Sequence, residues 1–100
     1  KLEPFGYRWN VEKQQTEILI TATGTGGFFE QDAIWCGIGE PVTFVFTSTQ
    51  KGCRKTVWSG YEKENLVKRR NRTATFVFTE PHTVSATAVP GGDGMAVIVR

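Results

Sequence analysis

The residues able to do chemistry in this chain are few and scattered. One histidine, two cysteines and one methionine stand among 100 residues: His82, Cys36, Cys53 and Met95. A catalytic triad needs a nucleophile, a base and an orienting acid in one place. Asp32 and Asp93 lie in loop-like sequence away from any clear nucleophile, and His82 follows Pro81 in a strand-entry turn, where a capping role is the simpler reading. Glu62 and Glu64 are neighbours in a charge run, not a facing pair of the kind that cleaves glycosidic bonds. Gly24-Thr25-Gly26-Gly27 lacks the Lys-Ser/Thr and the helix of a phosphate loop. Gly91-Gly92-Asp93-Gly94 brings one carboxylate, too few oxygens for a calcium loop. The expectation is a non-enzyme with no cofactor and no resident metal.

Charge is more informative. The net charge is only +2, yet eight of the twelve Lys and Arg fall between Lys51 and Arg72. The densest part is Lys68-Arg69-Arg70-Asn71-Arg72, so Lys68, Arg69, Arg70 and Arg72 are the candidate binding residues, with Lys51, Arg54 and Lys55 as neighbours that the fold would have to bring in. Such a cluster attracts phosphate, an acidic glycan or an acidic protein. Equally, it keeps a loop solvated and guards an edge against strand pairing. Nucleic acid is disfavoured as a partner, because no aromatic residues interleave with the cations to stack bases. Asn71-Arg72-Thr73 is an N-glycosylation acceptor triplet.

The cysteines leave two readings open. In a secreted chain Cys36 and Cys53 would form one disulfide; in a reducing compartment they would be thiols. Were the strand of Cys36 to pair with the strand beginning at Val42, the two cysteines would lie at opposite ends of that strand, beyond the ~7 Å reach of a bridge. In the other sheet they escape that limit.

These residues need a scaffold, and one motif written twice supplies it. Val42-Thr43-Phe44-Val45-Phe46-Thr47-Ser48 returns as Ala74-Thr75-Phe76-Val77-Phe78-Thr79-Glu80. Side chains alternate along a strand, so each copy has an aromatic face and a half-polar face. Two central antiparallel strands are expected, with Phe44, Phe46, Phe76 and Phe78 in one core. Thr16 to Thr23 reads as a strand with Ile18, Ile20 and Ala22 on one face, and Ala33 to Cys36 as a short strand. Arg54 to Ser59 and Thr83 to Val89 read as further strands, and Met95 to Val99 as the last, after a turn at Pro90 to Gly94. Gly24 to Gly27 reads as a loop, and Gly60 to Arg72 as an edge strand or excursion loop. Residues 1–15, with alternating Phe5, Tyr7 and Trp9 as a short strand or a plug over one end, are expected to be an N-terminal arm packing on the body. Of the three tryptophans, Trp35 is the one expected to be exposed. The chain opens on Lys1, as a processed product or an excised segment would, and no stretch approaches the ~18 apolar residues of a membrane span. The whole reads as one all-β domain, an antiparallel immunoglobulin-like β-sandwich of about seven strands.

From Gly39 onward the chain resembles an immunoglobulin-like domain of the polycystic-kidney-disease (PKD) type. Gly39-Glu40-Pro41-Val42-Thr43-Phe44 matches that family's Gly-x-x-Val-x-Phe strand. Trp58 stands where its core tryptophan would, and Thr75 to Val84 is similar to its aromatic strand, turn and Thr-Val hairpin. The family's Gly-Asp-Gly after the tryptophan is replaced by Ser59-Gly60-Tyr61. The resemblance implies an extracellular or cell-surface adhesion, receptor or spacer module that recognises a protein or glycan through its loops. Two alternatives stand beside it. One is a small secreted effector or toxin. The other is a metal-handling protein related to the cupredoxins, whose Gly-Glu-Pro-Val-Thr-Phe-type strand is similar, using Cys36 or Cys53 with Met95. A blue-copper site needs two histidines and a cysteine, so His82 alone cannot complete one.

Overall fold

The computed structural model describes residues 5–53 and 55–90. Its strands are β1 (Tyr7–Asn10), β2 (Gln15–Thr25), β3 (Gly27–Phe29), β4 (Ala33–Gly37), β5 (Pro41–Ser48), β6 (Lys55–Ser59), β7 (Leu66–Arg69), β8 (Thr73–Val77) and β9 (His82–Val89). They form two sheets of an all-β sandwich. Sheet one contains β1, β2, β4, β6 and β9; sheet two runs β3-β5-β8-β7. The expected turn after Pro90 and the strand over 95–99 lie outside the described residues.

The repeated motif is where the sequence places it. β5 and β8 are the middle strands of sheet two and pair antiparallel, Val42 opposite Phe76 and Phe44 opposite Ala74. Phe44, Phe46, Phe76 and Phe78 are all buried, and Ile18, Ile20, Ala22, Trp58, Val84 and Ala86 of sheet one close over them. Trp58 meets Phe46 and Phe76 edge-on at 6.4 and 6.3 Å, an arrangement that suits the ring quadrupoles. The threonines stand on the opposite face, where the Thr43 and Thr75 hydroxyls lie 2.8 Å apart.

Nine strands appear where about seven were expected. Of the additions, β1 takes up the alternating Tyr7 and Trp9, and β3 comes from a stretch too short to show a period. Gly24 to Gly27 is not a free loop: Gly24 and Thr25 finish β2, Gly26 turns with φ +82°, and Gly27 begins β3. A side chain on Gly24 would meet the Phe46 ring at 2.6 Å, so glycine lets the strand cross that ring. The sheets are also not wholly antiparallel. β2 and β9 run parallel from Ile20 opposite His82 to Thr25 opposite Thr87. Ile18 pairs with Tyr7 and Cys36, and Ile20 with His82 and Ile34, so β1 and β9 lie end to end along one edge of β2 while β4 takes the other.

The aromatics of the N-terminal arm behave differently from one another. Tyr7 packs on the core, whereas Phe5 is 93% and Trp9 50% exposed. Trp35, expected to be the exposed tryptophan, is half-buried: it sits on the edge strand β4 opposite Leu19, and the Arg8 guanidinium lies over its ring at 4.5 Å. Gly60 to Arg72 holds a short 3-10 turn, Lys63–Asn65, and then the edge strand β7.

Candidate anion-binding groove

β6 is the edge of sheet one and β7 the edge of sheet two. On this side the sandwich stays open, and a groove of about 430 Å³ runs between the edges, lined by Lys55, Thr56, Val57, Trp58, Arg69, Arg70 and Asn71. The gap is held to width by one side chain. The Asn71 Oδ1, in the turn after β7, accepts the Thr56 backbone N–H of β6 at 2.9 Å. That turn is itself closed by the Arg70 N–H donating to the Thr73 carbonyl at 2.8 Å.

The run Lys68 to Arg72 is divided by the fold. Arg69 pairs opposite Ala74, an inward position, so its side chain reaches into the open side, where Nη1 donates to the Tyr61 hydroxyl at 3.3 Å. Tyr61 in turn packs on Phe76, with ring centres 5.0 Å apart. Lys68 pairs opposite Thr75 on the outer face of sheet two. Arg72 turns towards β5, its Nη2 donating to Thr47 Oγ1 at 3.1 Å. The structure thus joins Arg69 and Arg70 to Lys55, from a separate strand, and leaves Lys68 and Arg72 outside the groove. Lys51 is exposed in the turn after β5 and does not line the groove. Among the described residues no carboxylate pairs with Lys55, Arg69 or Arg70; the ion pair there is Arg8 with Glu17. At the floor, Trp58 is 5% exposed, and its indole N–H is buried without an acceptor among the described residues. Nothing in the residue pattern marks that N–H, because its isolation depends on what packs around it.

Of the remaining chemistry-bearing residues, His82 has structural partners, while Asp93 and Met95 lie outside the described residues. The His82 Nε2 donates to the Gly60 carbonyl at 2.6 Å, and its ring stacks on Phe78 at 4.5 Å, bracing β9 to the end of β6. Cys36 and Cys53 are both free thiols. Cys36 lies in sheet one opposite Ile18, not beside β5, so the strand-length limit on a bridge does not apply. Burial, reinforced by the negative charges of Glu40 and Glu17, pushes the Cys36 thiol up, which makes it less nucleophilic. Among the described residues no group of three or more His, Cys, Asp or Glu is placed to hold a metal ion. No described helix is long and apolar enough to cross a membrane.

One buried charge was not visible in the sequence. Glu17 is 3% exposed. Its Oε1 accepts Arg8 Nε at 2.9 Å and lies 2.8 Å from Arg8 Nη2, and its Oε2 accepts Asn10 Nδ2 at 3.0 Å. Burial opposes ionisation, but the bonds from Arg8 and Asn10 and the charges of Arg8 and Lys13 outweigh it, holding the carboxyl below its ordinary range.

Set against known proteins, the chain matches no protein-family model, no curated protein and no solved structure.

Proposed function

We propose that this chain is a non-enzymatic, extracytoplasmic binding module, an immunoglobulin-like sandwich of the PKD type, that holds an acidic protein or glycan through the groove between β6 and β7. The observation that carries this reading is the gathering of Lys55, Arg69 and Arg70 around one groove without a carboxylate to neutralise them. A cation cluster left unpaired on a protein surface raises the local concentration of anions and steers them in. The PKD-type motif around Gly39 to Phe44 supports the module class, and the Asn71 acceptor triplet supports a secreted setting. The test is retention on an anionic polymer matrix as a function of salt. The wild-type chain is retained at low salt and elutes as ionic strength rises. K55A/R69A/R70A elutes markedly earlier, and equal retention of the two proteins would defeat the reading.

A further inference from the structure

We infer that the groove is a sulfate-ester site and that its occupant is a sulfated polysaccharide. This rests on the anion-binding reading above and narrows it. The groove's side chains are almost all donors. Lys55, Arg69 and Arg70 donate and never accept, and so does the indole N–H of Trp58. The carbonyl of Asn71 already accepts the Thr56 N–H, so among the described residues the side-chain acceptors lining the groove are its remaining lone pair and the Thr56 hydroxyl. A neutral sugar hydroxyl both gives and takes hydrogen bonds and finds few acceptors here. A sulfate ester only accepts, and two guanidinium forks suit its oxygens.

Trp58 is the independent observation. It lines the groove, it is 5% exposed, and its N–H has no acceptor among the described residues. A buried donor in that state is costly until an acceptor reaches it, and an anionic oxygen entering the groove supplies one. The cations beyond the groove indicate a polymer. Lys68 and Arg72, directed to the outer face of sheet two, carry the positive surface beyond the groove and onto that face. A single anionic group would use the groove alone, whereas a chain with repeated sulfates meets the flanking cations too. Bases of a nucleic acid would need a ring face to stack on, and Trp58 is buried while Tyr61 is packed on Phe76.

The chain is titrated at low salt with four probes: a short heparin-type oligosaccharide, its desulfated form, a polyglutamate peptide and a singly phosphorylated peptide. The tryptophan indole N–H resonances are followed by NMR and assigned by exclusion with W9F and W35F. The sulfated probe binds and shifts the Trp58 resonance more than polyglutamate or the phosphopeptide does, and desulfation weakens binding about 10-fold or more, the loss expected when charge-assisted bonds are removed. R69A/R70A weakens it at least as much, while R69K/R70K recovers part, because the charge returns without the forks. Thermal unfolding confirms that each variant is folded, and R70E replaces any that is not. Preference for polyglutamate or the phosphopeptide, lost in R69A/R70A, overturns the sulfate inference and leaves the anion-binding reading standing. Binding by none of the four probes, or binding indifferent to K55A/R69A/R70A, overturns both.

Discussion

Arg8 and Arg69 both lie beside tryptophans at strand positions near a sheet margin, and they are used in opposite ways. The Arg8 charge is taken up by Glu17, and its plane rests on the Trp35 ring. The Arg69 charge meets the Tyr61 hydroxyl, beside Arg70 and near a tryptophan whose N–H has no acceptor. The first site is complete within the chain: cation, carboxylate and amide donor all have partners, and it serves to fasten β1 to β2. The second concentrates donors of one sign and has no carboxylate among the described residues to balance them. A balanced cluster is a structural device; an unbalanced one at the surface is open to a partner.

The contrast can be broken at several points. The largest effect is expected at the core that stands behind the groove. Phe76 touches both Trp58 and Tyr61, so Phe76→Ala should cost about 3–5 kcal/mol in urea unfolding. Groove binding should fall further than the Arg8–Glu17 contact is disturbed. If the groove keeps full affinity in a folded F76A protein, its wall does not depend on the core as described.

Next in size is Glu17→Gln, which leaves Arg8 without its counter-charge. Because the folded carboxyl titrates below its ordinary value of 4.5, its contribution is present above that pH and is lost as pH falls through the folded value. Wild-type stability should therefore decline on acidification below about pH 4.5, and E17Q should be less stable at neutral pH with a flatter acid limb. Parallel wild-type and E17Q curves down to acid pH would show that Glu17 is not held ionised by the fold.

Asn71→Ala removes the tie across the open side and should cost about 0.5–1.5 kcal/mol, with amide exchange at Thr56 speeding up. An unchanged Thr56 rate would mean that the tie does not fix the groove. The smallest effect on stability is expected from R69A/R70A. These side chains are exposed, so unfolding should shift by no more than about 0.5 kcal/mol while anion binding is lost. A large loss of stability there would put Arg69 in the same structural class as Arg8.

Much of the framework was legible in the residues and most of the site was not. The strands β5 and β8 could be read because period-two alternation with phenylalanine has few other physical solutions. β3 could not, since three residues carry no period, and the glycines around it look like a loop until the Phe46 ring they cross is known. Glu17 sits on the outward phase of β2, where alternation promises solvent; its burial comes from Arg8 and Asn10 on the neighbouring strand. Of the four cations marked from the sequence, Arg69 and Arg70 reach the groove, while Lys68 and Arg72 are turned away by strand pairing and by Thr47. Lys55 joins them only because the edges of two different sheets open on the same side, a fact of tertiary structure.

The parallel junction of β2 with β9 sets an order of events for the chain during synthesis. Sheet two draws its strands from residues 27–77, so it can assemble before β9 has been made. Sheet one cannot close until β9 arrives, and the Thr21 and Thr83 side chains that meet across the junction are 62 residues apart. Closure over so long a span is entropically expensive and slow. Until then the Phe-rich side of sheet two lacks the cover that Val84 and Ala86 bring, and a released fragment ending at Val77 should bind hydrophobic dyes that the whole chain does not.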